Sequence, residues 1–87
     1  MKYEKLNDAL ARLEKSLREI DESDTESRDK LTHLIAETRQ LIREPGDDRR
    51  RGLSEQVRSA VVHFETRHPI ITDTLEEITR ILVSLGI

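Results

Sequence analysis

Leu6, Leu10, Leu13, Leu17 and Ile20 are separated alternately by four and three residues. That spacing keeps returning to one side of a 3.6-residue turn and draws a narrow apolar seam with the period of a heptad. It predicts a helix over residues 2–20. The other faces of this segment carry opposite charges one turn apart: Asp8 with Arg12, Glu14 with Arg18, Lys15 with Glu19. Each such pair contributes only about 0.2–0.5 kcal/mol, which favours helix and solubility more than it holds a fold. The polar run Asp21-Glu22-Ser23-Asp24-Thr25 predicts a turn, with Ser23, Asp24 or Thr25 as the cap of the next helix. Leu31, Leu34, Ile35, Thr38, Leu41 and Ile42 share one face of a second helix over 26–43, which Pro45-Gly46 ends. A connection this short makes the two helices an antiparallel hairpin, residues 1–44.

No apolar side chain lies between Ile42 and Leu53, and the stretch contains Pro45, Gly46, Asp47, Asp48, three arginines and Gly52. Residues 45–52 therefore read as a flexible linker. Leu53, Val57, Ala60, Val61 and Phe64 form the inward side of a third helix over 53–67. His68-Pro69 interrupts, because proline lacks the amide that the helix ladder needs and disfavours helical geometry at the residue before it. Ile71, Leu75, Ile78, Leu82 and Leu85 repeat the four-three seam in a fourth helix over 72–85. Thr72 or Asp73 can cap it, and Asp73 with Glu76 has the spacing of a capping box. One periodicity runs through the proline. Val57, Phe64, Ile71, Ile78 and Leu85 are each seven apart, so residues 53–85 could also be one kinked helix. The capping signals after the proline favour two. The expected architecture is all-α, an antiparallel hairpin and a second helical pair (residues 53–87) packed as a small four-helix bundle, one domain over residues 1–87.

Composition narrows the range of functions. The 87 residues include eleven Leu, eight Ile and four Val but only two aromatics, Tyr3 and Phe64. Small domains bury only about 60% of their unfolded surface, so this core is thin for a chain standing alone. The net charge of -3 neither recruits polyanions nor forms an acidic tail. Without cysteine there is no disulfide framework, no thiolate chemistry and no Cys-based zinc site. Met1-Lys2-Tyr3-Glu4-Lys5 leads into no apolar run, and no apolar stretch approaches the roughly 20 residues that span a bilayer. A cytoplasmic protein without membrane contact is the expectation.

The last third carries one named pattern. Phe64-Glu65-Thr66-Arg67-His68-Pro69 stands about one short helix ahead of a terminal Gly86-Ile87. This layout resembles a family of small bacterial proteins known as domain of unknown function 4404. The resemblance implies a helical front half, a variable middle and this tail; it implies no activity and no cofactor.

Taken as chemistry, the motif yields little. Glu65 and His68 are three apart and share a helix face if the helix persists that far, but a catalytic metal takes about three protein ligands. His63 projects elsewhere and His33 lies in the other hairpin. The structural reading makes Phe64 the core anchor, has His68 cover the carbonyls that end helix three, and has Pro69 set the entry angle of helix four. Gly86 is expected in a left-handed C-cap, with Ile87 folded back on Leu82. Arg49, Arg50 and Arg51 suggest a phosphate-contacting patch, but Asp47 and Asp48 leave the stretch at +1, and nucleic-acid binding needs several unopposed cations. There is no Gly-rich phosphate loop, no nucleophilic triad in a pocket-forming context and no basic amphipathic helix. No enzyme, metal or cofactor is expected. What remains is surplus apolar surface: Val62, Ile70, Ile81 and Val83 lie off the seams. Leftover apolar surface on a small helical domain commonly marks a partner. The expected function is a protein–protein interaction or self-association module, with a homo-oligomer as the first partner. The alternative is nucleic-acid binding through residues 49–51.

Overall fold

The leucine seams fold into four helices in the computed structural model, which describes residues 3–86. They are α1 (Glu4–Glu19), α2 (Thr25–Arg43), α3 (Asp47–Phe64) and α4 (Pro69–Leu85). Each packs against the helices before and after it in the chain, and α4 packs back against α1. Among the described residues no diagonal pair meets, so the helices stand at the corners of a square, and the short connections make neighbours antiparallel. The result is a rod of 37 × 20 × 18 Å. Leu6, Leu13, Leu31, Leu53, Phe64, Leu75, Ile78 and Leu82 are at most 2% exposed, all within one shared core. Burying such a side chain contributes roughly 1.5–3 kcal/mol, against which the surface ion pairs are minor.

The ends of the helices follow local chemistry. Asp21 accepts from the Ser23 amide and hydroxyl, both at 2.9 Å, and so folds the first turn. Asp24 is the cap of α2, its carboxylate accepting from the Ser27 amide at 3.3 Å. Thr38 is buried mid-helix but donates to the Leu34 carbonyl at 2.7 Å, so its hydroxyl is not stranded.

Three expectations need correction. The flexible linker over 45–52 is not there as a loop. Only residues 44–46 connect α2 to α3, and Arg49, Arg50, Arg51 and Gly52 are helical. Gly46 is extended at φ -174°, and Asp47 and Asp48 then occupy the first turn, where the helix dipole favours carboxylates. Arg50 reaches back to Asp47 at 3.8 Å and Arg51 to Asp48 at 3.4 Å. A stretch without apolar residues is here the polar start of a helix, with Asp47 and Arg50 near Leu41 and Leu85.

Second, α4 begins at Pro69, not near Thr72. Proline suits the first helical position, where its missing amide would have no intrahelical partner and its fixed φ is already helical. Asp73 therefore lies inside the helix, exposed, and no capping box forms there. Third, Gly86 is right-handed (φ -85°, ψ -8°), its amide donating to the Leu82 and Val83 carbonyls. It is not held there by a left-handed turn; the guanidinium of Arg50 lies where a Cβ on Gly86 would be. The expected contact of Ile87 with Leu82 lies outside the described residues.

Between α3 and α4 the chain does break, giving two helices instead of one kinked helix. The helical ladder of α3 continues past Phe64: the Glu65 amide donates to Val61 at 2.9 Å and the His68 amide to Phe64 at 2.8 Å. His68 then leaves helical geometry (φ -138°, ψ 79°), and the ladder of α4 restarts with the Thr72 amide on the His68 carbonyl at 3.0 Å.

Candidate functional site

The antiparallel arrangement brings the α1–α2 turn and the α3–α4 turn to the same end of the rod, where polar groups meet across 36 to 44 residues of chain. Asp24 is the hub. Besides capping α2, its carboxylate stands 3.2 Å from His68 Nε2 and 3.9 Å from the Arg67 guanidinium. The hydrogen bond from Ser27 and then that from His68 hold its pKa below the ordinary carboxylate value, and Arg67 adds to the effect. Beside it, Ser27 Oγ and His63 Nε2 are 2.8 Å apart, and His63 Nδ1 is 3.9 Å from the Glu26 carboxylate. Phe64 lies under both rings, edge to face, with centroids 4.9 Å from His63 and 5.6 Å from His68. Offset and perpendicular ring contacts of this kind add to burial alone.

Serine, histidine and carboxylate in sequence invite comparison with a nucleophile, its base and an orienting acid. The burial argues otherwise. Ser27 is 0% exposed, so no substrate reaches its oxygen, and 3.9 Å is beyond hydrogen-bond range for the histidine and glutamate. The cluster joins two turns. Its serine oxygen is closed to a substrate.

The residues singled out from the sequence are dispersed. Phe64 is wholly buried, Glu65 is exposed at the end of α3, and His68 is half-buried against Asp24. Glu65 and His68 are not paired, and the described residues hold no cluster of three His, Asp or Glu able to take a metal. His33 is exposed on α2. The three arginines all face carboxylates: Arg49 is 4.0 Å from Glu44, and Arg50 and Arg51 pair within their own helix. The candidate nucleic-acid patch thus has its charge met inside the molecule.

The surplus aliphatics do not share one face. Val62 is 69% exposed, Ile70 75% and Val83 49%, while Ile81 is half-buried against the core. Helical spacing sets Val83, one turn after Thr79, on the α3–α4 side, where a groove of about 380 Å³ is lined by Arg58, Val61, Glu76, Thr79 and Arg80, and sets Val62 on the outer face of α3, away from the core. Ile70 and Ile81 lie on the α1–α4 side. There Ile70 borders a hollow of about 210 Å³ with Ser16, Glu19, Ile20, Arg67 and His68, and Ile81 lines a second hollow toward the far end. Between the two hollows Arg12 spans the seam to Glu77 at 2.6 Å, and Glu77 is held below the ordinary carboxylate value by that contact.

Sequence reading missed the cluster of Asp24, Ser27, His63 and His68 because its members belong to different hairpins. The one available signal was the cap position of Asp24. Nothing in a single chain fixes which histidine lies opposite it.

The class is therefore an antiparallel four-helix bundle with one polar, cross-linked end. Among the described residues no helix is long and apolar enough to cross a membrane. The family model described as domain of unknown function (DUF4404) matches residues 6–87, and the chain belongs to that family. Neither a curated protein nor a solved structure matches it significantly.

Proposed function

We propose that this protein is a non-enzymatic helical interaction module whose partner is a second copy of itself. The observation that carries this reading is the surface of α4. That helix has four charged residues among seventeen, the fewest of the four helices, and leaves Ile70 and Val83 exposed, as Val62 is on α3. Large exposed aliphatics on so small a bundle are hydrated at a cost that a partner removes, at about 25 cal/mol per Å² covered. The reading is also supported by the full burial of Ser27, the one hydroxyl of the polar cluster that a histidine contacts.

Light scattering at about 100 μM tests it, since affinities near -8 kcal/mol saturate well below that concentration. The expected mass is that of a dimer or larger, and Ile70→Asp should shift it toward a single chain. A single-chain mass for the parent protein refutes the reading.

A further inference from the structure

The break between α3 and α4 is narrow. The α3 ladder reaches the His68 amide and the α4 ladder starts from the His68 carbonyl, so His68 belongs to both. Glu65, at the nominal end of α3, is itself right-handed helical (φ -61°, ψ -27°). The core seam also runs through the break in phase. Val57, Phe64, Ile71 and Ile78 are spaced by seven, and His68 fills the seam position between Phe64 and Ile71. A turn chosen only to reverse the chain has no reason to keep this register; a continuous helix does. What opposes continuity is Pro69, which has no amide for the Glu65 carbonyl and whose ring crowds it.

We propose that residues 65–68 are a hinge through which two copies exchange α4. With His68 returned to helical dihedrals, α3 and α4 become one long helix, and the amides of Ile70 and Ile71 gain the carbonyls of Thr66 and Arg67. Each α4 then packs in the groove between α1 and α3 of the other copy, remaking there every contact it makes within its own chain, Arg12 with Glu77 included. Exchange of an identical element creates a dimer with little new surface to design. The two hinges lie side by side about the twofold axis, so Val62 and Ile70, which flank the hinge in the chain, come to the junction between the two bundles. Pro69 is the residue that holds the exchange in check. This inference rests on the self-association reading and gives it a mechanism.

Two measurements test it. Pro69→Ala keeps an acceptable first residue for α4 while removing the obstacle to a continuous helix. Its dimer association constant, from the concentration dependence of mass, should rise about ten-thousandfold, because each of the two hinges sheds the ~3 kcal/mol of an interior proline at 1.4 kcal/mol per tenfold. An unchanged constant overturns the hinge. The second measurement mixes Arg12→Glu chains with Glu77→Arg chains, unfolds them together, refolds them and counts species by native mass spectrometry. In an exchanged heterodimer the two substituted side chains, of opposite charge, face each other across one α1–α4 seam. The unsubstituted Arg12 and Glu77 face each other across the second, so both seams are matched. Each exchanged homodimer instead sets like charges against each other in both seams. Heterodimer should then outnumber the two homodimers together several-fold, where chance gives equal amounts. Dimers at the statistical ratio refute exchange while leaving self-association intact. A parent chain that stays monomeric, with Pro69→Ala forming exchanged dimers, refutes the self-association reading and supports the hinge. Monomers in every variant refute both.

Discussion

Truncating Phe64 should do more damage than any other single change in the chain. Its side chain is fully buried, it is the one aromatic among the buried residues described, and it floors the cluster through edge contacts to His63 and His68. Phe64→Ala removes that packing from the shared core, and such substitutions cost about 3–5 kcal/mol. A chain of this length has a total stability of roughly 4–13 kcal/mol, at 0.05–0.15 kcal/mol per residue. Urea unfolding followed by far-ultraviolet circular dichroism gives the comparison. With a slope of roughly 1–1.5 kcal/mol per molar for so small a protein, the midpoint should fall by about 2 M or more. Phe64→Leu keeps most of the volume and should cost well under half as much. A midpoint within about 1 M of the parent for Phe64→Ala would show that the core does not depend on this ring.

Three further outcomes are expected. Asp21, Asp24 and Glu77 all have lowered pKa values in the folded chain, through Ser23, through Ser27 with His68, and through Arg12 respectively. Their stabilisation is therefore complete above the ordinary values of 3.8 and 4.5 and is lost as pH falls through the lower folded values; urea midpoints should drop below about pH 4 and Asp24→Asn should flatten that drop. Ser27 should not react with a fluorophosphonate probe, and Ser27→Ala should cost about 1–3 kcal/mol by leaving a half-buried His63 nitrogen without its partner; labelling at Ser27 would reopen the catalytic reading. Limited trypsin digestion should cut first after Arg43 or Arg67, which border the connections, and only later after Arg49, Arg50 or Arg51; early cleavage at those three would mean the first turns of α3 open readily.

The periodic part of the fold was legible because burial follows the seam directly: the leucines of α1, α2 and α4 that repeat at four and three are the ones that reach the core. What escaped is where helices start. Asp47 to Gly52 has no apolar residue, so pattern alone assigns a loop; dipole, first-turn carboxylates and reach-back arginines extend the helix six residues further. Pro69 likewise reads as an interruption, and the alternative role, first residue of the next helix, depends on how tightly the turn closes. Gly86 shows the same limit from another side, since its neighbour Arg50 is thirty-six positions away and no local rule brings it there. The polar cluster fails for that reason too: Asp24 signals a cap, but its pairing with His68 is a property of the assembled square.

That square has a kinetic consequence. Three of its four sides join helices that follow one another in the chain, and only the α1–α4 side joins its ends. Early contacts are therefore local, with small closure entropies and fast formation, whereas sealing α4 onto α1 closes a loop of most of the chain. The transition state should already contain the middle of the molecule and lack the Arg12–Glu77 seam. Reversing the charge at Arg12 should then speed unfolding and leave the folding rate nearly unchanged. During that last interval each nascent chain carries a finished α4 and an open groove, which at high concentration another chain can reach first.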